Sequence, residues 1–233
     1  MSEPLLEVVR GLIERTYRLR TGLTEIGPFV IGDAGYRLFY ATGTGERAIG
    51  SAEGGEAKTL VREGTDGVTA CIYFPDAMIR HLESHPPLRG IGEENVGAFA
   101  TFVEEIDHLL LIAERSLGRR PVSLFELELH ANVSKYLVLA RFLAGRTGRL
   151  GEDGRRWLRH RLFPGVEFCD EDQAVRERYH DAERWAVRLL DGLDGLDGLH
   201  RAERLEVLRQ FHLAEPGAKL RLISTLGRSR LPD

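Results

Sequence analysis

Apolar residues recur at helical spacing near the start of the chain, at Leu5, Val8, Val9, Leu12 and Ile13, so 5–19 reads as an amphipathic helix. The pattern then shortens. Pro28 to Ile31 and Tyr36 to Ala41 are β-prone runs on either side of Gly32-Asp33-Ala34-Gly35, and Thr59 to Arg62 and Val68 to Phe74 flank Gly64-Thr65-Asp66-Gly67. Glycine and aspartate between apolar runs mark hairpin turns, so the four runs predict an antiparallel sheet. Gly43-Thr44-Gly45 and Gly54-Gly55 fall in connections. Without a strand before and a helix after, Gly43 and Gly45 read as loop rather than as a phosphate cradle.

Asp76 predicts the N-cap of a short helix to about Leu82, closed by Pro86 and Pro87. From about Glu93 the periodicity is helical throughout. One long helix runs to about Ser116 and stops near Gly118; a second starts at Ser123 and reaches about Leu143. Ser123 and Glu126 form a capping box, with Val122 and Leu127 placed as a hydrophobic staple. The short link between the two helices predicts an antiparallel hairpin. Further helices are expected over 153–162, 171–190, 201–212 and 218–226. The tandem tripeptide from Asp191 to Leu199 lacks the spacing and distal Glu of a calcium loop, and reads as a flexible linker. The fold class expected is α+β with a helix majority, an N-terminal antiparallel sheet with helices packed on a C-terminal helical bundle. It is read as one domain over 1–233, with 1–90 carrying the sheet and 91–233 helical.

A chain of 233 residues with 42% hydrophobic and 29% charged residues can bury a full core. Its net charge of -4 argues against a dedicated nucleic-acid binder, though a local basic patch is compatible with it. Of its two cysteines, Cys71 sits in an apolar run and reads as a buried hydrophobe; Cys169 stands next to acids that disfavour a thiolate. No disulfide framework, signal core or membrane-length apolar run is legible, so a cytoplasmic protein away from membranes is expected.

The first long helix is apolar nearly all round. Phe99, Phe102, Val103, Ile106, Leu110 and Ala113 form one stripe, while Ala100, Leu111 and Ile112 surround Glu104 and His108 on the other side. Such a helix is buried between layers, and a buried Glu needs a partner. The hairpin register sets His108 level with Asn132 and Glu104 level with Lys135. A polar cluster of Glu104, His108, Glu128, Asn132 and Lys135 is therefore within reach, with His130 on the other flank. A structural network is the favoured reading and a metal site the alternative.

Glu104-Glu105-Ile106-Asp107-His108 resembles the zincin helix motif HExxH, with Glu where the family has its first His. Glu128-Leu129-His130-Ala131-Asn132 is similar to the ExxxD element of gluzincin metallopeptidases, with Asn in place of Asp. The resemblance implies zinc ligands at His108, Glu128 and, in the place of a His, Glu104, and a general base at Glu105. The stretch Phe125 to Tyr136 also resembles a block of bacterial proteins that brings no activity with it.

Arg155, Arg156, Arg159, His160, Arg161, Arg176, Arg178, Arg184 and Arg188 lie among Trp157, Tyr179 and Trp185, a composition that can bind a phosphate backbone. The interleaved Glu152, Asp153, Glu171, Asp172, Glu177, Asp181 and Glu183 favour a salt-bridged, solvated face instead. His180 and Glu183 stand at an i, i+3 spacing that could add metal ligands. No serine has a nucleophile context. The function expected is a non-catalytic module that binds a protein partner; the alternative is a divergent zincin-type hydrolase using zinc.

Overall fold

The computed structural model describes residues 3–42, 47–49, 56–64, 67–145, 148–163, 173–194 and 201–228. Gly43, Gly45, Ser51, Gly54, Gly55, Cys169, Glu171, Asp172 and the linker residues 195–199 lie outside them, as do the side chains of Arg176, Glu177, Arg178 and Tyr179. The architecture is α+β with helices in the majority. In chain order the elements are α1 (Leu5–Tyr17), β1 (Val30–Ile31), α2 (Asp33–Thr42), β2 (Arg47–Ile49), β3 (Lys58–Gly64), β4 (Gly67–Tyr73), α3 (Asp76–Ser84), α4 (Val96–Leu117), α5 (Leu124–Ala144), α6 (Glu152–Leu162), α7 (Gln173–Asp194), α8 (Arg201–Leu213) and α9 (Pro216–Arg228).

The sheet order is β1-β4-β3-β2. β3 and β4 form the expected hairpin, with Thr59 opposite Ile72 and Leu60 opposite Cys71. Two expectations are corrected. β1 keeps only two residues and pairs parallel to β4, so the sheet is mixed rather than antiparallel. The run from Tyr36 to Ala41 is helical, part of α2. Its aromatic residues suit a strand by propensity, but Tyr36 and Phe39 also stand three apart on one helical face. Tyr36 stacks on Tyr73 at 4.1 Å between ring centroids, and the Arg62 guanidinium lies 4.7 Å over the Phe39 ring. Tertiary stacking on this face overrides β-propensity.

Asp76 is not the N-cap of α3; Pro75 holds that place without a side-chain bond. Asp76 Oδ1 accepts the Asp33 N–H at 3.2 Å, and Asp33 Oδ1 accepts the Asp76 N–H at 3.3 Å. The first residues of α2 and α3 thus satisfy each other's free amide, which ties the two helices together.

α4 lies between the sheet and α5. Its Phe99, Phe102, Val103, Ile106 and Leu110 lie in the main core with Ile13, Leu129, Val133 and Phe211, and Phe102 stacks on Phe74 just after β4. Toward the sheet, Leu111, Ile112 and Leu127 pack under Val61 and Ala70. α7 covers α5, and α9 covers α7. The α4–α5 hairpin starts its second helix as expected, with Ser123 Oγ accepting the Glu126 N–H at 3.1 Å. The return bond of a capping box does not form, because the Glu126 carboxylate turns inward to Arg115 and Lys219.

The stretch expected as a linker is partly helix: α7 continues through Asp194. Arg159 binds Asp191 and Asp194 at 2.6 and 2.8 Å, and a Cβ on Gly192 would come within 2.8 Å of Leu226 Cβ. Glycine here admits α9 rather than breaking α7. Cys71 is half-buried, which pushes its thiol upward.

Candidate functional site

The polar side chains of α4 and α5 sort into two networks on different faces. The first holds the expected cluster. Lys135 Nζ donates to Glu104 Oε2 at 2.8 Å. Burial acts to raise the Glu104 carboxyl, but Lys135 and His108 hold it below the usual range. Lys135 is raised in turn, the Glu104 and Glu128 carboxylates and α7's Glu183 outweighing burial.

His108 is 1% exposed and lies between two carboxylates, Nδ1 at 3.7 Å from Glu105 and Nε2 at 3.7 Å from Glu128. At that separation these are ion pairs without hydrogen bonds, and neither ring nitrogen has a hydrogen-bond partner. Burial alone would lower the imidazole; Glu105, Glu128 and Glu104 together push it up to about 10. Burial also lifts Glu128, to about 7, against the pull of His108. Glu105 itself accepts the Thr59 hydroxyl at 2.7 Å and is sealed beneath β3. Asn132 does not reach His108: its amide donates to the Glu128 carbonyl of its own helix at 2.9 Å, as polar side chains inside helices commonly do.

Of the ligands expected, Glu128 faces His108 Nε2, whereas Glu105, the expected base, lies at the opposite ring nitrogen. Glu104 is committed to Lys135. Among the described residues no group of three His, Cys, Asp or Glu side chains is placed to hold a metal.

The second network was not legible as a unit. Asp107, on the next face of α4, accepts His130 Nδ1 with both oxygens, at 3.0 and 2.8 Å. His130 Nε2 meets His212 Nδ1 of α8 at 3.2 Å, and His212 Nε2 meets Glu114 Oε2 at 2.8 Å. Tyr17 of α1 lies over both rings, 4.2 and 5.7 Å between centroids, and receives a hydrogen bond from Ser134. Beside this chain, Arg115 and Lys219 both donate to Glu126 Oε1, at 2.7 and 2.8 Å. Arg115 also donates to the His212 carbonyl at 3.3 Å.

Proton placement in the second network follows from counting. Asp107 accepts a hydrogen bond from the His130 Nδ1–H. The two ring nitrogens that face each other need one proton between them. The His212 Nε2–Glu114 Oε2 contact at 2.8 Å is an ion pair without an aligned hydrogen bond. The two hydrogen-bonded contacts use the two protons that two neutral imidazoles carry, and the ion pair with Glu114 calls for one more. The same count balances charge: Asp107, Glu114 and Glu126 against Arg115, Lys219 and the one extra proton. Burial pushes His212 below its ordinary value, whereas Glu114, raised by burial, is held down to about 2 by His212, the Arg20 amide and Arg115. Those directions differ on where the extra proton rests. The extra proton belongs to the His212–Glu114 contact, 2.8 Å long.

Asp107 appeared only as a spacer within the motif, and His130 only as a flanking residue. The available signal was that a helix buried on every side needs partners on every side. Of the described arginines here, Arg156, Arg159, Arg161 and Arg184 are salt-bridged, while Arg155 donates to the Leu150 carbonyl and Arg188 lies over the Trp185 ring. Arg156 pairs with Glu152 at 3.1 Å and Asp153 at 3.4 Å, Arg161 with Glu93, and Arg184 with Asp181. Trp157 donates to Glu93 at 3.0 Å. A cavity of about 340 Å³ lies elsewhere, against Val30, Phe74, Ile79 and Arg80. No protein-family model, curated protein or solved structure matches the chain. No described helix is long and apolar enough to cross a membrane.

Proposed function

We propose that this chain is a non-catalytic protein that binds a protein partner, with the α4–α5 hairpin as its internal scaffold. The observation that carries this reading is the sealing of the hairpin's polar residues. Glu105, Asp107, His108, Glu128 and His130 are each 5% exposed or less, and protein groups surround them. A general base must come within hydrogen-bond reach of a substrate proton. Glu105 lies under β3 with the Thr59 hydroxyl on it. Polar groups buried this way specify which helices meet and in what register. A cytoplasmic setting, expected from the cysteine-poor composition, belongs to the same reading.

The test is zinc titration calorimetry on the full chain, followed by a peptide-hydrolysis screen with and without zinc. The expected result is neither stoichiometric uptake nor cleavage. Uptake lost in His108→Gln, together with zinc-dependent cleavage lost in Glu105→Gln, would replace this reading with a zincin-type hydrolase.

A further inference from the structure

Six large hydrophobic side chains are exposed among the described residues, and three of them share one end of the bundle: Leu117 (64%), Leu124 (37%) and Leu213 (63%). Leu117 closes α4, Leu124 opens α5 and Leu213 closes α8. Contacts beneath them place the three together. Arg115 of α4 holds the His212 carbonyl, Glu114 meets the His212 ring, and the loop after α1 lies against Leu117, since a Cβ on Gly22 would come within 2.9 Å of its Cδ1.

The same end carries exposed arginines. Arg18 and Arg20 stand on the loop after α1, anchored by the Arg20 N–H on Glu114 at 3.2 Å, and Arg119 and Arg120 stand in the hairpin turn. Arg120 is 3.9 Å from Glu114; Arg18, Arg20 and Arg119 have no ion pair among the described residues. The acids at this end include Glu114, paired with Arg120 and His212, and the exposed Glu25 and Glu215. A protein with a net charge of -4 thus presents a cationic, leucine-bearing end.

The backbone adds an independent sign. Arg18 (φ 60°) and Arg119 (φ 49°) are the two non-glycine residues with positive φ among those described. Both follow helix C-termini, where glycine takes the left-handed conformation without strain. Arginine there is disfavoured locally, and such outliers gather where a surface has work to do.

We propose that this end of the bundle is a docking surface for an acidic segment of a partner protein, its carboxylates on Arg18, Arg20, Arg119 and Arg120 and its apolar side chains on Leu117, Leu124 and Leu213. The proposal rests on the partner-binding reading and names the partner's chemistry. Guanidinium forks match carboxylates in pairs. All six exposed large hydrophobics are aliphatic, whereas nucleic-acid surfaces stack bases on aromatic rings and membrane interfaces favour Trp and Tyr. The overall negative charge also repels extended polyanions and anionic bilayers, which a short acidic segment confined to the patch escapes.

The test is fluorescence anisotropy of the full chain with a labelled peptide of alternating glutamate and leucine pairs. A lysine–leucine peptide, phosphatidylserine-containing vesicles and a DNA duplex serve as competing arms. The glutamate–leucine peptide should bind, lose affinity with added salt, and weaken about tenfold or more in Arg119→Glu/Arg120→Glu and in Leu117→Ser/Leu213→Ser. Arg18→Gly and Arg119→Gly should raise the melting temperature while weakening the peptide, which purely structural arginines would not do. Equal binding by all variants, tighter binding of vesicles or duplex through the same residues, or a lower melting temperature in both glycine variants would overturn the proposal. Peptide capture unaffected by these substitutions sinks this surface and leaves the partner-binding reading standing; zinc-dependent cleavage of the peptide sinks that reading itself.

Discussion

His108→Gln should change how stability depends on pH, not only its level. On folding, the imidazole is raised from 6.5 to about 10 by Glu105, Glu128 and Glu104. Its stabilisation is therefore complete below pH 6.5 and is lost as pH rises through about 10. Glu128, raised from 4.5 to about 7, moves stability the same way over a lower range. At ~1.4 kcal/mol per tenfold change, the His108 shift is worth at most roughly 5 kcal/mol. Its protons are shared with Glu128, so the expected contribution is roughly 2–4 kcal/mol. For a chain of this size that is roughly 5–15 °C in melting temperature. The assay is thermal unfolding of wild type and His108→Gln at intervals from pH 6 to 10. At pH 6 the variant should melt well below wild type, because Glu105 loses the cation beside it. The gap should close toward pH 10, where wild type has lost that charge too. A gap independent of pH would refute the reasoning, since it would mean that His108 is neutral in the folded protein and serves only to fill space.

Ser123→Ala should destabilise by about 1 kcal/mol in a urea melt, since its cap on the Glu126 N–H is lost while the Glu126 carboxylate stays with Arg115 and Lys219. Gly192→Ala should also destabilise, by about 1 kcal/mol or more, despite alanine's better helix propensity, because the new Cβ meets Leu226 Cβ at 2.8 Å; an unchanged or raised melting temperature would show that α7 and α9 separate there. Asp107→Asn keeps the shape but removes the charge on the oxygens that accept the His130 N–H, and should cost roughly 2–3 kcal/mol by denaturant titration. A silent Asp107→Asn would mean that the three-contact chain carries no stabilising charge.

What the sequence determined by itself was local. The short link and the cap at Ser123 specified the α4–α5 hairpin, and its register then set Glu104 opposite Lys135, at 2.8 Å. The glycine-flanked runs before Pro75 specified β3 and β4. In both cases the partners lie close along the chain, so turn length and periodicity leave few alternatives. Periodicity also showed that α4 is buried on every side, but not by what. Only the tertiary structure decided that Tyr36 and Phe39 serve a helix rather than a strand, through Tyr73 and Arg62. It likewise decided that Asp191 and Asp194 extend α7, through Arg159. Above all it decided that His130 meets a histidine 82 residues away. Helical spacing tells which face of an element leaves water; which distant side chain fills that face depends on how helices pack after they form, and no local pattern in the chain encodes it.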